Sequence, residues 1–282
     1  MRNAALFLAV FALLTSAAFG LKSQLSEDLS NDASPSFISS FDPADFTHVI
    51  NNRYYTRTPG MYAAYEKETA NGIVREALLV TGETKTVMGI MTLVVRDRVW
   101  LNDELLEDTS NWLAQDKKGT VWDFGEAVDH YQDGRLISHD GSWEAGVDGA
   151  KPGVMMVENP RPGDLFREEI YPSGAEDEET VLEAGVSYRV PNGPSFSDCV
   201  HTRDSTPLED RDPLEDWHGS ADKYFCVGVG VMVAEETGSG LLRLVTFSDR
   251  PADEAVGRLA SFSSPVTAAS AKAGWRPKAL IQ

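Results

Sequence analysis

From residue 61 onward the chain alternates apolar and polar positions with a period of two, in short runs separated by turn residues, which is the pattern of half-buried β-strands. Such runs cover residues 61–68 and 73–81, on either side of Thr69, Ala70, Asn71 and Gly72, where the Asn-Gly pair suits a tight hairpin. They continue at 90–101, at 104–115 beyond the polar turn Asn102-Asp103, at 121–124, at 130–131, and at 135–138 after Asp133-Gly134. After a glycine-rich middle they resume at 165–171, 181–190, 199–203, 223–233 and 241–247. A helical pattern is confined to 253–259, with Ser248 or Asp249 near its start. Parallel pairing needs long crossovers, and almost no helical stretches exist to supply them. The expected fold is therefore all-β: an antiparallel meander forming a curved sheet or open β-barrel, with a short C-terminal helix. Tyr62, Tyr65, Trp100, Trp112, Trp122, Phe124, Tyr188 and Phe225 fall in the strands and are read as filling the concave face or the core.

The two ends read differently. Arg2, an apolar run through Leu14, and small residues at Ala18 and Gly20 form a signal peptide over 1–20, with cleavage after Gly20. The run is shorter than the ~20 residues that span a bilayer, and no later stretch reaches that length. The expectation is a secreted or periplasmic protein without a transmembrane segment. Residues 21–52, rich in Ser, Asp and Asn, read as a disordered or loosely draped leader, 53–260 as a single β domain, and 261–282 as a flexible tail. The charge balance is strongly acidic, with 44 Asp and Glu against 25 Lys and Arg for a net of −19. Such a chain repels phosphate backbones, which argues against nucleic acid as a partner.

The most unusual stretch is 141–153, where four glycines and Pro152 describe a shaped loop rather than a linker. Trp143 either stacks on a sugar face or plugs the end of the sheet. Glu144, Asp148 and Lys151 either present two carboxylates and a cation to a ligand, or pin the loop, the acids accepting hydrogen bonds from its amides. These four residues are the candidate ligand-binding set. No Gly-x-Ser-x-Gly elbow, His-Glu-x-x-His helix or phosphate-binding loop occurs. The histidines are scattered singly, and only His130 and His139, flanking the Asp133-Gly134 turn, would be brought face to face by a hairpin. No cofactor is expected. Calcium is the alternative, because residues 176–179 (Glu-Asp-Glu-Glu) and Asp210, Asp212, Glu215 and Asp216 concentrate carboxylates, although solvated acidic loops are the simpler reading.

Segments 121–126, 141–153, 162–164, 167–169, 175–177, 206–209, 223–225 and 228–230, with Tyr131 and Gly134, resemble a family of uncharacterised secreted bacterial proteins over roughly residues 55–247. The run Gly-Ser-Trp-Glu-Ala-Gly-Val-Asp-Gly-Ala-Lys-Pro-Gly at 141–153 is the most specific part. The resemblance implies secretion and transfers no activity. Cys226 stands where the family pattern usually has Pro, and 210–222 is longer and more acidic than usual, which puts any family surface near that loop in doubt.

Three functions follow. The first is a noncatalytic exported protein that binds a small apolar or sugar ligand, or a partner protein, in a pocket beside the glycine-rich loop. The second is a hydrolase of an extracellular polymer, with Glu144 and Asp148 converging in an open cleft. The third is a structural envelope or matrix protein with neither feature. The only two cysteines, Cys199 and Cys226, lie in strand-like segments, and an exported chain meets an oxidising compartment. If those segments pair as antiparallel neighbours, the two face each other at disulfide distance.

Overall fold

The computed structural model describes residues 41–172, 174–206, 220–238 and 240–248. The expected signal peptide, most of the leader, the carboxylates Asp210, Asp212, Glu215 and Asp216, the helix at 253–259 and the tail lie outside the described residues. Among the described residues the chain is all-β, and its one helical element is a 3₁₀ turn at Pro43–Asp45. The first strands are β1 (Phe46–Thr47), β2 (Tyr62–Thr69), β3 (Gly72–Val87), β4 (Ile90–Leu101) and β5 (Glu104–Asp116). They are followed by β6 (Val121–Gln132), β7 (Arg135–Ser138), β8 (Trp143–Glu144), β9 (Gly153–Met156) and β10 (Leu165–Arg167). The last are β11 (Glu178–Arg189), β12 (Ser195–Ser205), β13 (Ala221–Cys226), β14 (Met232–Thr237) and β15 (Gly240–Ser248).

All belong to one antiparallel sheet made of two meanders. One runs from β2 to β7 and the other from β10 to β15, and pairing of β15 with β2 joins them. β1 adds to β5, while β8 and β9 both return to β6. An isolated antiparallel bridge between Lys151 and Ile170 links the stretch before β9 to the stretch after β10.

Turn chemistry fixes the registers. Asn102 and Asp103 both take positive φ (51° and 69°), as do Asp133 and Gly134 (51° and 70°), the backbone of the two-residue turn whose twist matches right-handed strands. Met88 and Gly89 do the same at 51° and 80°. This third hairpin extends β3 beyond the expected 73–81 and carries it past a register shift between Val80 and Thr84.

Part of the expected leader belongs to the fold. Phe41 and Phe46 meet the rings of Trp122 and Phe124, with centroids 5.3–6.3 Å apart. Asn52 is fully buried, and its side-chain amide donates to the carbonyls of Gly119 (3.0 Å) and Val157 (3.1 Å). Apolar residues too sparse to show a period thus still anchor the segment, because aromatic rings and one satisfied amide suffice. The main core gathers Tyr65, Trp112, Trp122, Phe124 and Phe225. Tyr62 packs in a smaller cluster with Leu79 and Trp100. Cys199 and Cys226 lie directly opposite each other on β12 and β13 and form a disulfide, with both residues fully buried.

Candidate functional site

β8 is laid against β6, with Trp143 opposite Glu126 and Glu144 opposite Gly125. Gly125 has a φ of 124°, and a Cβ there would come within 2.3 Å of the Trp143 carbonyl oxygen, so the approach of β8 depends on glycine at this place. Alternation along a strand sends neighbouring side chains to opposite sides. Trp143 is buried, 5% exposed, and its indole N–H donates to Glu169 Oε1 at 3.4 Å. Glu144 is partly exposed and accepts from Lys85 Nζ at 2.8 Å, while the same ammonium lies 3.0 Å from the centroid of the Trp112 ring. Asp148 is exposed at a positive φ of 48°, and Lys151 is exposed with its backbone N–H donating to Ile170 O at 2.9 Å.

The loop amides are satisfied by carbonyls: Ala145 N–H donates to Phe124 O, Gly146 to Ala150, Val147 to Glu144 and Ala150 to Val147. The expectation that Glu144 and Asp148 are buried against loop amides is corrected. The loop doubles back on itself and onto β6, so backbone oxygens reach the donors first.

Behind Trp143 lies a set of carboxyls contributed by distant parts of the chain. Glu126, Glu169 and Asp177 are near enough to act on one another electrostatically, and the Thr206 hydroxyl donates to Glu176 O at 3.0 Å. Beside them Glu168 and Glu179 act on each other electrostatically, while Lys223 makes ion pairs with Asp204 and, at 3.8 Å, with Glu168. Glu179 is completely buried, and neither of its carboxyl oxygens has a hydrogen-bond partner among the described residues. Glu76 on β3 and Asp97 on β4 act on each other electrostatically, with Glu107 acting on both.

Electrostatics follow from this crowding. Burial, reinforced by neighbouring carboxyls, holds Glu126, Glu168 and Glu169 well above the usual carboxylate range and raises Asp177. Burial and Glu107 push Asp97 up to about 8. Burial opposes the Lys223 charge, but Asp204, Glu168 and Glu179 outweigh it and hold the ammonium above its ordinary value. The cluster therefore gathers carboxyls of raised proton affinity around one cation, an arrangement able to accept hydrogen bonds or exchange protons.

Residues 176–179 are correspondingly not a solvated acidic loop: Asp177 and Glu179 join the cluster, and Glu178 pairs with Arg167 at 3.0 Å. His130 and His139 do not share a site. His130 Nε2 contacts Asp140 O at 3.0 Å, and His139 Nδ1 contacts Asp129 at 2.8 Å. Among the described residues, no group of three or more His, Cys, Asp or Glu is arranged to hold a metal ion.

Glu126, Glu168, Glu169, Asp204 and Lys223 are absent from the sequence-derived set, in which Asp177 and Glu179 figure only within the calcium alternative at 176–179. A signal for one of them exists. Lys223 sits two residues from the buried Ala221 on one side and Phe225 on the other, which places a cation on the inward side of β13.

Fold and site together define a class: an all-β protein of one antiparallel sheet with a carboxyl cluster, part buried and part half-exposed, beside a glycine-rich loop. No known family pattern, no curated protein and no solved structure matches the chain.

Proposed function

We propose that this is an exported, noncatalytic binding protein whose ligand site is the carboxyl-rich part of the inward sheet face beside Trp143. In this reading the sheet, with the Lys151 and Ile170 bridge linking the stretch before β9 to the stretch after β10, curves into a barrel-like wall, and the ligand is a small molecule rich in hydrogen-bond donors, a sugar foremost. The observation that carries the proposal is the convergence of Glu126, Glu169 and Asp177 on one place while all three keep partial exposure. Partly exposed carboxyls held by one another are available acceptors for ligand hydroxyls. An apolar ligand fits such a lining poorly, because each carboxyl it covered would lose its hydrogen bonds to water.

The noncatalytic reading draws support from the glycine-rich loop. A hydrolase acting through Glu144 and Asp148 needs both at one bond. Glu144 is engaged by Lys85, and Asp148 projects from an exposed turn. Among the described residues no helix is long and apolar enough to cross a membrane.

Titration calorimetry with a panel of mono- and oligosaccharides, on the wild type and on Glu169→Gln, tests the proposal. Saturable heat that the variant lowers at least tenfold is expected. Release of reducing ends from a polysaccharide, abolished by Glu144→Gln or Asp148→Asn, would put the hydrolase in its place.

A further inference from the structure

In the second meander the ladders bring one amine and a carboxyl onto the same side of the sheet. Glu179 on β11 is the cross-strand partner of Asp204 on β12, and Thr202, two residues before Asp204, is the partner of Lys223 on β13. Positions two apart on a strand share a face, so Lys223 and Asp204 are diagonal neighbours. The Lys223 ammonium meets Asp204 Oδ2 directly, and Glu168 Oε2 lies 3.8 Å from the same nitrogen. Asp204, Glu168 and Glu179 are all buried, and the buried Ala221 and Phe166 are the cross-strand partners of Asp204 and Glu179. The charges are poorly satisfied. Among the described residues, Asp204 Oδ1 and both Glu179 oxygens are buried without a hydrogen-bond partner.

We propose that Lys223 and Asp204 condense into an amide, a covalent cross-link between β12 and β13 that the folded chain makes by itself with Glu168 as proton carrier. The step balances within the site. A proton passes from the ammonium to the Asp204 carboxylate, which leaves a neutral amine beside a neutral carboxylic acid. The lone pair of Lys223 Nζ attacks Asp204 Cγ, forming the C–N bond and a tetrahedral centre. Glu168 gives a proton to the departing hydroxyl and takes one from the nitrogen, the C–O bond breaks, and water leaves. Glu168 ends as it began, and neither oxidant nor co-reactant is consumed.

Three features favour the reaction. The sheet holds nucleophile and carboxyl in contact, which replaces a bimolecular encounter by an intramolecular one. Burial penalises both charges of a pair whose acceptors are left partly unsatisfied, and the amide carries no charge to bury. The carboxyl that would carry the proton already touches the amine, and its burial keeps it protonated above the usual carboxylate range. The bond would stand on the same strand pair as the Cys199 to Cys226 bridge, so β12 and β13 would stay tied when the disulfide is reduced.

Trypsin digestion of the full chain, folded first and then reduced and denatured, followed by tandem mass spectrometry, reads the bond directly. Cleavage after Arg203 and Arg211 releases 204–211, and Lys223 lies in the next peptide. The cross-link should block cleavage after Lys223 and join 204–211 to 212–243 at the summed mass less one water. Full recovery of 204–211 and 212–223 as free, unmodified peptides would overturn the proposal. So would loss of water confined to 204–211 with cleavage after Lys223 intact, since Asp204 would then have closed on its own backbone. Lys223→Arg should eliminate the linked species, and its persistence there would equally count against the bond. Glu168→Gln cannot carry the proton and should lower the linked fraction at least about tenfold in protein of the same age. An equal fraction would overturn the role given to Glu168. If either variant does not fold, the wild-type peptide map decides by itself.

Discussion

Lys223 shows how one side chain can hold a cluster together. Its ammonium is the partner of Asp204 and Glu168 and stands close to Glu179, whose own oxygens have no other cationic contact. Removing one member of a buried ion pair leaves the other charge uncompensated, which destabilises by about 3–5 kcal/mol. Lys223→Met should lower the urea midpoint accordingly, and adding Asp204→Asn should restore part of the loss. A change in Lys223→Met below about 1 kcal/mol would show that the cluster does not depend on this cation. The pair between Lys85 and Glu144 is the contrast. Its side chains are 34% and 38% exposed, so Glu144→Gln should shift stability by no more than about 1 kcal/mol in the same measurement.

Among elements, β12 and β13 carry the covalent tie. Cys199 and Cys226 are cross-strand partners separated by 27 positions, and the chain-entropy model gives such a loop about 3–4 kcal/mol of stabilisation. Unfolded, unreduced protein should titrate with no free thiols, and reduction should lower the thermal midpoint. Two thiols per chain in that titration would refute the bridge. At this scale much was legible. The hairpins at Asn102 and Asp103 and at Asp133 and Gly134 declare themselves through residue types that tolerate positive φ, and the cysteines through their strand context. The hairpin at Met88 and Gly89 was hidden, because Met is an unusual choice at φ 51° and reads as strand interior. The site was less legible. Trp143 marks its edge, but Glu144 beside it points away, since adjacent strand residues face opposite sides.

For the molecule as a whole, the buried carboxyls set the direction in which stability responds to pH. Glu76, Glu126, Glu168 and Glu169 are held well above ordinary carboxylate values, and Asp97 lies at about 8, against about 4 in an unfolded chain. Between those limits the folded state binds protons that the unfolded state has lost, so stability is greatest at the acidic end and falls as pH rises toward 8. Asp222, held below its usual value chiefly by Arg203, works in the opposite sense but only below about pH 4. Urea midpoints at constant ionic strength should therefore drop between pH 5 and pH 8. Part of the drop should persist in high salt, which screens the general repulsion of a chain with a net charge of −19. A midpoint that rises over this interval would contradict the raised proton affinity of these carboxyls. The sequence by itself determined the all-β class, most strand positions, two of the tight turns and the pairing of the cysteines, because alternation and turn preference are properties of near neighbours. The tertiary structure alone decided that Glu126, Glu168, Glu169, Asp177, Glu179, Asp204 and Lys223 meet. They come from β6, the stretch after β10, β11, β12 and β13, and a carboxylate in a strand reads as solvent-facing until the pairing of distant strands and the loss of water around them turn it inward.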